Sequence, residues 1–286
     1  MAAITVGVPV FNGAHMLDEC LELLAAQTFT DFVVLIYDNA STDSTAEIAQ
    51  SWAMRDPRFR YFRQPHNKGA TQNFLDVLAA ADTPYFLWRA YDDLSSANFL
   101  EVAYTIMQRR PQTKLAVGAV EQVKINTGKR RFLPVPDINS GLEPLRLWRI
   151  LMHARASWFY GLWDRKTLEA EFGEVWKHYP YGWGSDHLTL FRLLVKNEIA
   201  GDNSAVFIQR MADKPAGADN QQARLPAAEM LAYRRRYMNA VRAMLKEVPL
   251  DSAQRACIWI LLPLHTGKRI YSLRRTLKFA LLEKFR

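Results

Sequence analysis

The chain has 286 residues, 49% of them hydrophobic and 23% charged, which is the composition of a soluble globular protein with a full core. Its only cysteines, Cys20 and Cys257, exclude a disulfide framework and a cysteine metal site, and they fit a reducing compartment. The net charge of +8 is uneven: residues 230–286 hold 13 Lys and Arg against 3 Asp and Glu, whereas the rest holds 24 against 26. This distribution predicts an anionic partner for the tail and not for the whole protein.

Two further absences bear on cellular location. The first residues, Met-Ala-Ala-Ile-Thr-Val, lack a basic n-region and a long apolar core, so no signal peptide is expected. The longest fully apolar run, residues 257–264, is far short of a membrane span. We therefore expect that this chain does not cross a bilayer.

Apolar runs alternate with segments of helical periodicity through the first hundred residues. We predict strands at 4–9, 32–37, 58–63 and 83–91, and helices at 15–27, 44–54 and 70–80, the second with a Ser44–Glu47 capping box. This alternation is typical of βαβ units and a mainly parallel sheet, in which the first strand lies beside the fourth. The loops at 9–12, 38–43 and 92–93 then converge at one edge of the sheet.

The fourth strand ends abruptly in two carboxylates, Asp92 and Asp93. Adjacent aspartates repel each other unless a cation lies between them, and divalent metals prefer such oxygen ligands. The other interpretation is a cap for the helix predicted at 97–108. The convergence of the three loops favours a metal-binding site over a helix cap.

The pattern is looser after residue 95. We predict strands at 115–123 and 157–163, an edge strand at 206–209, a hairpin near 126–129 and a helix at 142–153. A glycine-rich aromatic loop at 179–187 leads into a helix, and 210–228 has the composition of a loop or linker. The last predicted helix, 268–285, has Ile270, Leu273, Leu277 and Leu281 on one face. That face suits a membrane surface or a helix packed on the body equally.

Several short motifs occur together in one order. They are Val-Pro-Val-Phe-Asn at 8–12, Gln-Thr-Phe-Thr-Asp-Phe at 27–32, Asp-Asn-Ala-Ser-Thr-Asp at 38–43, Asn-Lys-Gly at 67–69 and Ala-Tyr-Asp-Asp at 90–93. Their order and spacing resemble glycosyltransferase family 2, closely over residues 3–95 and more loosely to about 200. The resemblance implies a GT-A fold: a Rossmann-like, mainly parallel central sheet flanked by helices, here with a C-terminal helical extension. It also implies inverting transfer from a nucleotide sugar.

The resemblance assigns roles to individual residues. Asp93 is expected to bind the metal, Mn²⁺ or Mg²⁺, and Asp92 to hold the ribose or orient the site. Asp38 is expected to accept a hydrogen bond from the base, such as uracil N3–H. The rest of the nucleotide-sugar pocket is expected from Pro9, Val10, Asn12, Lys68, Gly69 and Asn73. Ordinary turns at Asp38 and at 67–69 remain the alternatives.

Inversion needs a general base opposite the leaving group. The resemblance points to Asp186, at the start of a helix after the aromatic loop, and the alternative is a helix N-cap. Trp183 is expected to stack on sugar or acceptor, and His187 is a core residue or a further polar contact. Ser185 stands where relatives commonly have Glu, a departure that bears on the assignment of the base. Ala90 stands where many have Asp, which leaves the number of protein metal ligands open.

These features predict a metal-dependent inverting glycosyltransferase that moves a sugar, UDP-linked by preference, to a hydroxyl of a glycan or lipid-linked acceptor in surface polysaccharide or lipopolysaccharide synthesis. The alternative is an inactive family member that binds a nucleotide sugar or a partner. The absence of G-x-G-x-x-G after the first strand disfavours a dinucleotide oxidoreductase, and basic and aromatic residues are not interleaved as nucleic-acid binding requires.

The expected organisation is a catalytic domain at 1–210, with a nucleotide-binding half at 1–95 and an acceptor half at 96–210, then a linker at 211–228 and a basic helical extension at 229–286. The expected location is the cytoplasm, with 268–286 as a possible contact to the anionic inner face of the cytoplasmic membrane.

Overall fold

A computed structural model of the chain describes residues 2–137, 143–211 and 225–284. The described residues form two compact units. The first contains residues up to 135, 157–169 and 198–211, and the second contains 136–156, 170–197 and residues from 225 on. The predicted linker at 211–228 lies mostly outside the described residues, and the predicted domain boundaries stay a prediction.

The first unit is built on one mixed sheet. Its opening strands and helices alternate as β1 Ile4–Val10, α1 Ala14–Ala25, β2 Phe32–Asp38, α2 Thr45–Arg55, β3 Phe59–Arg63, α3 Ala70–Ala79 and β4 Tyr85–Trp88. These four strands are parallel in the order β3-β2-β1-β4, as predicted. β1 is buried along its whole length because apolar residues cover both faces.

The second half of the sheet is mostly antiparallel. Its elements are β5 Leu94–Ser95, α4 Phe99–Arg109, β6 Leu115–Lys124, β7 Arg130–Leu133, β8 Leu162–Asp164 and β9 Ile199–Met211. The order continues as β4-β8-β6-β9-β5, and β7 pairs with β6 across the predicted hairpin. Only β6 and β9 are parallel to each other here.

Four predictions about elements were wrong. The strand predicted at 157–163 begins as a 3-10 helix, Ala156–Tyr160, because Phe159 stacks on Trp88 with ring centroids 4.7 Å apart. The strand predicted at 206–209 extends over 13 residues and is internal, because β5 pairs with its outer side. Ser44 makes no side-chain cap, and Asp43 Oδ1 accepts from Thr45 N at 3.1 Å instead.

The fourth concerns the last predicted helix. The chain forms α9, Ser252–Arg269, and α10, Leu273–Lys284, with a break between them. Ile270 and Tyr271 are buried at the break, where the Arg234 guanidinium donates to the Tyr271 carbonyl. Ile270 therefore does not share the exposed face of Leu273, Leu277 and Leu281.

The second unit is helical. Its helices are α5 Glu143–His153, most of α6 Arg165–His178, α7 Ser185–Lys196, α8 Ala227–Met244, α9 and α10. Its interior contains a polar link: His265 Nδ1 lies 2.9 Å from the Leu151 carbonyl oxygen, and His265 Nε2 lies 3.1 Å from the Tyr237 hydroxyl. None of the described helices combines the length and apolar character that spanning a bilayer requires.

Candidate active site

The loops that follow β1 and β2 are joined by hydrogen bonds, as the strand order predicts. Asn12 donates its backbone N–H to Ser41 Oγ at 2.9 Å, and its side-chain oxygen accepts from Thr42 N at 2.8 Å. The Val10 carbonyl accepts from Asn39 N at 2.9 Å. Pro9 and Val10 are themselves buried at the end of β1. The predicted floor and one polar wall of the pocket thus lie together.

The loop after β4 reaches the same edge. A Cβ atom added to Gly13 would lie 2.6 Å from the Tyr91 ring, so this glycine lets the two loops approach closely. The His15 and Tyr91 rings meet edge to face, 6.2 Å apart. The predicted convergence of the three loops is therefore confirmed.

Asp38 is fully buried at the end of β2. Its Oδ1 accepts from Ser41 N and its Oδ2 from the Tyr61 hydroxyl, both at 2.8 Å, and Arg63 Nη1 lies 3.7 Å from Oδ2. Burial, and next the bond to Asp38, raises the pKa of Tyr61 to about 12. The turn expected as the alternative is therefore present, and contact between Asp38 and a nucleotide base stays a prediction.

The segment at 67–69 is fixed to the β2 loop. Asn39 donates to Asn67 Oδ1 at 2.8 Å, and its own side-chain oxygen accepts from Lys68 N at 2.9 Å. The Lys68 ammonium pairs with Asp76 at 2.8 Å. Gly69 has φ +83°, a left-handed value that favours glycine, and no atom lies within 4 Å of an added Cβ. The turn therefore presents open space beside its backbone.

Asn73 lies in α3 and is buried. Its amide nitrogen donates to the Tyr37 carbonyl at 2.8 Å. Its amide oxygen is buried without a hydrogen-bond partner in the part of the chain that the structure describes. A buried acceptor left unpaired costs about 1–3 kcal/mol, so this oxygen would gain from a donor.

The aspartate pair lies in a turn between β4 and β5. The helix α4 begins only at Phe99, with Asn98 as its N-cap residue, so neither Asp92 nor Asp93 caps it. Asp93 is 6% exposed. Burial, followed by the charge of Asp92, raises the pKa of Asp93 to about 7, against the opposing effect of Arg210 and Arg89. The turn thus holds a carboxyl group that a nearby cation would stabilise.

Arg210 in β9 holds this turn in place. Its backbone N–H donates to Asp93 Oδ1 at 2.9 Å, and its guanidinium donates to the Asp92 carbonyl and to Glu19. The sequence interpretation placed residue 210 at the start of a loop and missed this role. The available signal was a lone arginine directly after an apolar strand, which does not identify its partner.

Arg89 lies under the turn and was also missed. It is fully buried, with its guanidinium 5.3 Å from the Phe99 ring centroid and 4.9 Å from that of Phe207. Its Nη1 donates to the Leu94 carbonyl at 3.0 Å, while Nε and Nη2 have no partner among the described residues. Burial lowers the pKa of Arg89. A buried cation next to Asp93 partly offsets the charge of the pair.

The described residues contain no group of three or more His, Cys, Asp or Glu side chains placed to hold a metal ion. The turn nevertheless fits one, because Mg²⁺ is commonly bound through one or two carboxylates together with substrate phosphates. Within the described chain, Asp93 Oδ2 has no hydrogen-bond donor, so that oxygen is free to coordinate. A metal here would depend on the substrate for its remaining ligands.

The two other predicted site residues belong to the second unit. Asp186 is the second residue of α7, whose N-cap is Gly184 at φ +86°, so Asp186 is not the cap. Its carboxylate accepts from His187 N at 2.7 Å, and burial raises its pKa. Burial lowers the pKa of His187 well below its usual value, which leaves the imidazole neutral. Asp186 thus has the raised pKa that suits a general base.

Trp183 lies in an aromatic cluster of the same unit. Its ring centroid lies 4.5 Å from that of Tyr271, in an edge-to-face arrangement, and 6.0 Å from that of Tyr233, whose ring is tilted. The Trp183 backbone carbonyl accepts a hydrogen bond from the Tyr179 hydroxyl at 2.9 Å. The side chain is half-buried. Its contact with a sugar or acceptor stays a prediction.

Comparison with known proteins identifies relatives that match more than half of the chain. The glycosyl transferase family 2 model matches residues 5–160. The glycosyltransferase GlyG of Streptococcus pneumoniae is 31% identical over 215 residues, which cover 72% of this chain and 70% of GlyG.

Two solved structures share the fold. S. aureus TarS 1–349 in complex with UDP superposes with a TM-score of 0.60 at 15% identity, over 100% of this chain and 92% of that one. The mannosyltransferase PcManGT of Pyrobaculum calidifontis, in complex with GDP-Man and Mn²⁺, gives a TM-score of 0.55 at 16% identity. The match covers 99% of this chain and 79% of PcManGT. The GT-A type of fold expected from the sequence is confirmed.

Proposed function

Because this chain belongs to glycosyl transferase family 2 and is a glycosyltransferase by that membership, we propose that it is a metal-dependent inverting enzyme acting on a nucleoside diphosphate sugar. The observation that carries the proposal is the Asp92–Asp93 turn with its buried Asp93, fixed by Arg210 at the sheet edge where the loops of β1, β2 and β4 meet. Open α/β sheets bind ligands at this edge.

The nucleotide sugar binds along that edge in this proposal. Pro9 and Val10 form the floor, Asn12 contributes a polar wall, and Asp38 accepts from the base. Lys68, Gly69 and Asn73 line the opposite wall, where the buried Asn73 oxygen has no described partner and the Gly69 backbone is open. UDP is the favoured nucleotide, and this is supported by the UDP bound in TarS.

Asp93, with Asp92 beside it, would hold Mn²⁺ or Mg²⁺, an assignment supported by the Mn²⁺ present with GDP-Man in PcManGT. When bound, such an ion neutralises charge on the departing diphosphate as a Lewis acid. Arg210 keeps Asp93 oriented by donating to Oδ1, so Oδ2 would be the atom available to an ion. The positive charge of Arg89 partly offsets the repulsion between the two carboxylates.

Asp186 acts as the general base. It takes the proton of the acceptor hydroxyl as that oxygen attacks the anomeric carbon on the face opposite the leaving group. Its raised pKa makes it a stronger proton acceptor than an ordinary aspartate at neutral pH. Trp183 stacks on the sugar or the acceptor.

The acceptor in this proposal is a hydroxyl of a glycan or lipid-linked carrier in surface polysaccharide or lipopolysaccharide synthesis. The enzyme works in the cytoplasm and attaches to the inner face of the membrane through 268–286. Exposed Leu273, Leu277 and Leu281 with neighbouring Arg274, Arg275 and Lys278 support this attachment.

The deciding experiment is a thermal-shift screen of UDP-sugars and GDP-mannose, with and without Mn²⁺, on the wild type and on Asp93→Ala. A ligand at 100 times its dissociation constant stabilises by about 2.7 kcal/mol, so we expect a clear shift that needs both Mn²⁺ and Asp93. Asp82→Ala removes an exposed carboxylate of the same unit and should keep the shift.

A turnover measurement distinguishes an active enzyme from an inactive protein that only binds a nucleotide sugar. Release of UDP or GDP by the wild type, lost in Asp93→Ala, supports the enzyme. Binding of a nucleotide sugar that does not need Mn²⁺, together with no turnover over a panel of acceptors, would instead support the inactive, nucleotide-sugar-binding alternative.

A further inference from the structure

We propose that the second unit binds an anionic phospholipid of a bilayer surface at the corner where α8 leads into α9. This corner comprises residues 242–264 and is separate from the last helix, 273–284. Two observations carry the proposal: a small pocket rimmed by cations that have no carboxylate partner among the described residues, and an exposed apolar face that continues from it along α9. The proposal goes beyond sugar transfer and does not depend on it.

The pocket has a volume of about 190 Å³. Three cationic side chains, Arg242, Lys246 and Arg255, line it together with the apolar side chains of Leu245, Leu250 and Trp259. The guanidinium of Arg242 lies 5.2 Å from the centroid of the Trp259 ring. Cations above an apolar floor match a ligand with a negative head and a hydrocarbon body.

The positive charge of the pocket is not neutralised locally. The residues that line it include no acid, and the two nearest acids in sequence are engaged elsewhere. Glu247 lies 4.0 Å from Arg192, and the Asp251 carboxylate accepts from Gln254 N at 2.7 Å as the cap of α9. Arg242, Lys246 and Arg255 form no salt bridge with a carboxylate in the described parts of the chain.

The apolar face of α9 begins at the rim of this pocket. Trp259 is 40% exposed, Ile260 73% and Leu264 61%, and Ile260 and Leu264 are one helical turn apart. An interfacial helix combines such exposed apolar and aromatic residues with flanking Arg and Lys. The face therefore suits the boundary between lipid headgroups and acyl chains.

Pocket size and lining favour a lipid over a nucleotide. Sites for drug-sized ligands usually have volumes of about 300–1,000 Å³, so this pocket is too small for a nucleotide sugar. Its apolar walls also leave the polar groups of a nucleotide without partners. One acyl segment fits, with the phosphate held at the cationic rim. The surplus of basic residues in 230–286 attracts an anionic surface at longer range.

Vesicle co-sedimentation of the full chain tests the proposal. The probes are vesicles of equal parts phosphatidylcholine and phosphatidylserine, and vesicles of phosphatidylcholine alone. We expect binding to the mixed vesicles only. The double variant Arg242→Gln, Arg255→Gln should lower the partition coefficient roughly 30-fold, because each basic residue near an anionic surface contributes a factor of about five.

A matched pair of variants separates this corner from net charge. Arg109→Gln with Arg110→Gln removes the same charge from exposed positions at the C-terminal end of α4 and should change binding less than about twofold. Ile260→Ser, at a position too exposed to affect folding, should weaken binding about tenfold or more, while Met54→Ser, also highly exposed, should not. Brominated acyl chains should quench wild-type fluorescence more than that of Trp259→Phe.

Four results would overturn the proposal. Three of them are equal binding to both kinds of vesicle, equal loss of binding in the two double variants, and full binding by Ile260→Ser. No vesicle binding by the wild type overturns it as well and points to an acidic protein as the partner of this corner. Sugar transfer is measured separately, so failure here leaves the proposed reaction standing.

Discussion

The two units use arginine in opposite ways. In the first, the buried Arg89 and the half-buried Arg210 lie next to a pair of carboxylates, and their hydrogen bonds fix one turn of the chain. In the second, Arg242 and Arg255 surround an apolar pocket without a carboxylate partner among the described residues. In the proposed roles, cations beside acids hold the candidate metal site in place, whereas exposed cations beside apolar groups attract an anionic lipid surface. The experiments below test this contrast, from the largest expected effect to the smallest.

The largest effect is expected from Asp186→Asn in the second unit. A general base contributes about a hundredfold to ten-thousandfold, so turnover should fall by that factor. Affinity for the nucleotide sugar should stay unchanged, because the proposed donor pocket lies in the first unit. Steady-state turnover and calorimetric donor binding check both statements.

The control for this variant is Glu229→Gln, which removes one exposed acid of the second unit. It should keep full turnover. Unchanged turnover in Asp186→Asn would show that another group takes the proton, and the contrast between the units would then lose its catalytic part.

The interior of the second unit should make the protein sensitive to acid. Burial, followed by the charge of Arg269, lowers the pKa of His265 from the usual 6.5 to about 4. The hydrogen bond to the Leu151 carbonyl opposes this shift, and the charge of Lys268 adds to it slightly. Between these values the unfolded chain binds a proton that the native chain does not. The stabilisation is therefore complete above pH 6.5 and is lost as pH falls toward 4, by about 3 kcal/mol in all.

Urea unfolding followed across this pH range checks the slope. His265→Asn keeps a donor for the Leu151 carbonyl, so it should be less stable at neutral pH yet show a flatter pH dependence. His66→Asn alters an exposed histidine of the first unit and should leave the slope as in the wild type. An equal slope in wild type and His265→Asn would contradict the assignment.

Arg210→Lys tests the fixed turn of the first unit. Lysine retains the charge, but a single ammonium cannot bond the Asp92 carbonyl and Glu19 in the geometry of a guanidinium. Partners that orient metal ligands usually contribute about 10–100-fold to metal affinity, so Mn²⁺ affinity with UDP present should fall by that range. Titration of free Mn²⁺ by electron paramagnetic resonance measures it.

Arg60→Lys is the matched control, because Arg60 is exposed on β3. It should bind Mn²⁺ as the wild type does. If Arg210→Lys also retained full affinity, Arg210 would be a structural residue of the sheet and not a positioning residue for the site.

The smallest effect is expected on the surface of the second unit. Leu277 is 62% exposed on α10, so Leu277→Ser should change the free energy of unfolding by less than about 0.5 kcal/mol. Thermal unfolding without lipid checks this. A loss of more than about 1 kcal/mol in the free energy of unfolding would show that this face of α10 is packed against the protein and is not a free surface.

The sequence predicted the parts of the fold that local pattern determines. β1 to β4 are short apolar runs between amphipathic helices, so both their positions and their order followed from periodicity and from the rules for parallel sheets. The converging loops followed from that order. The motif residues at 9–12, 38 and 92–93 were therefore found together at one edge.

The missed features depend on distant partners. Residues 156–160 became a 3-10 helix because Phe159 stacks on Trp88, and no local signal encodes that contact. Arg210 lies near the end of β9, whose partner on the other side from β6 is β5, and β5 has only two residues, too few to show any periodicity. The bounds of α9 within the predicted helical extension at 229–286 were likewise not predicted, because Pro263 interrupts its pattern.

The bond between Arg210 and Asp93 joins residues 117 positions apart. A nascent chain therefore carries all of the proposed donor-binding loops long before the aspartate turn can form its bond to Arg210. Closing so distant a contact slows folding, and until β9 is synthesised the unmatched carboxylates and the open edge of β6 remain exposed. The proposed metal site thus forms late in synthesis, and a fragment ending before residue 199 would contain the motifs of the first hundred residues without the bond that holds the aspartate turn.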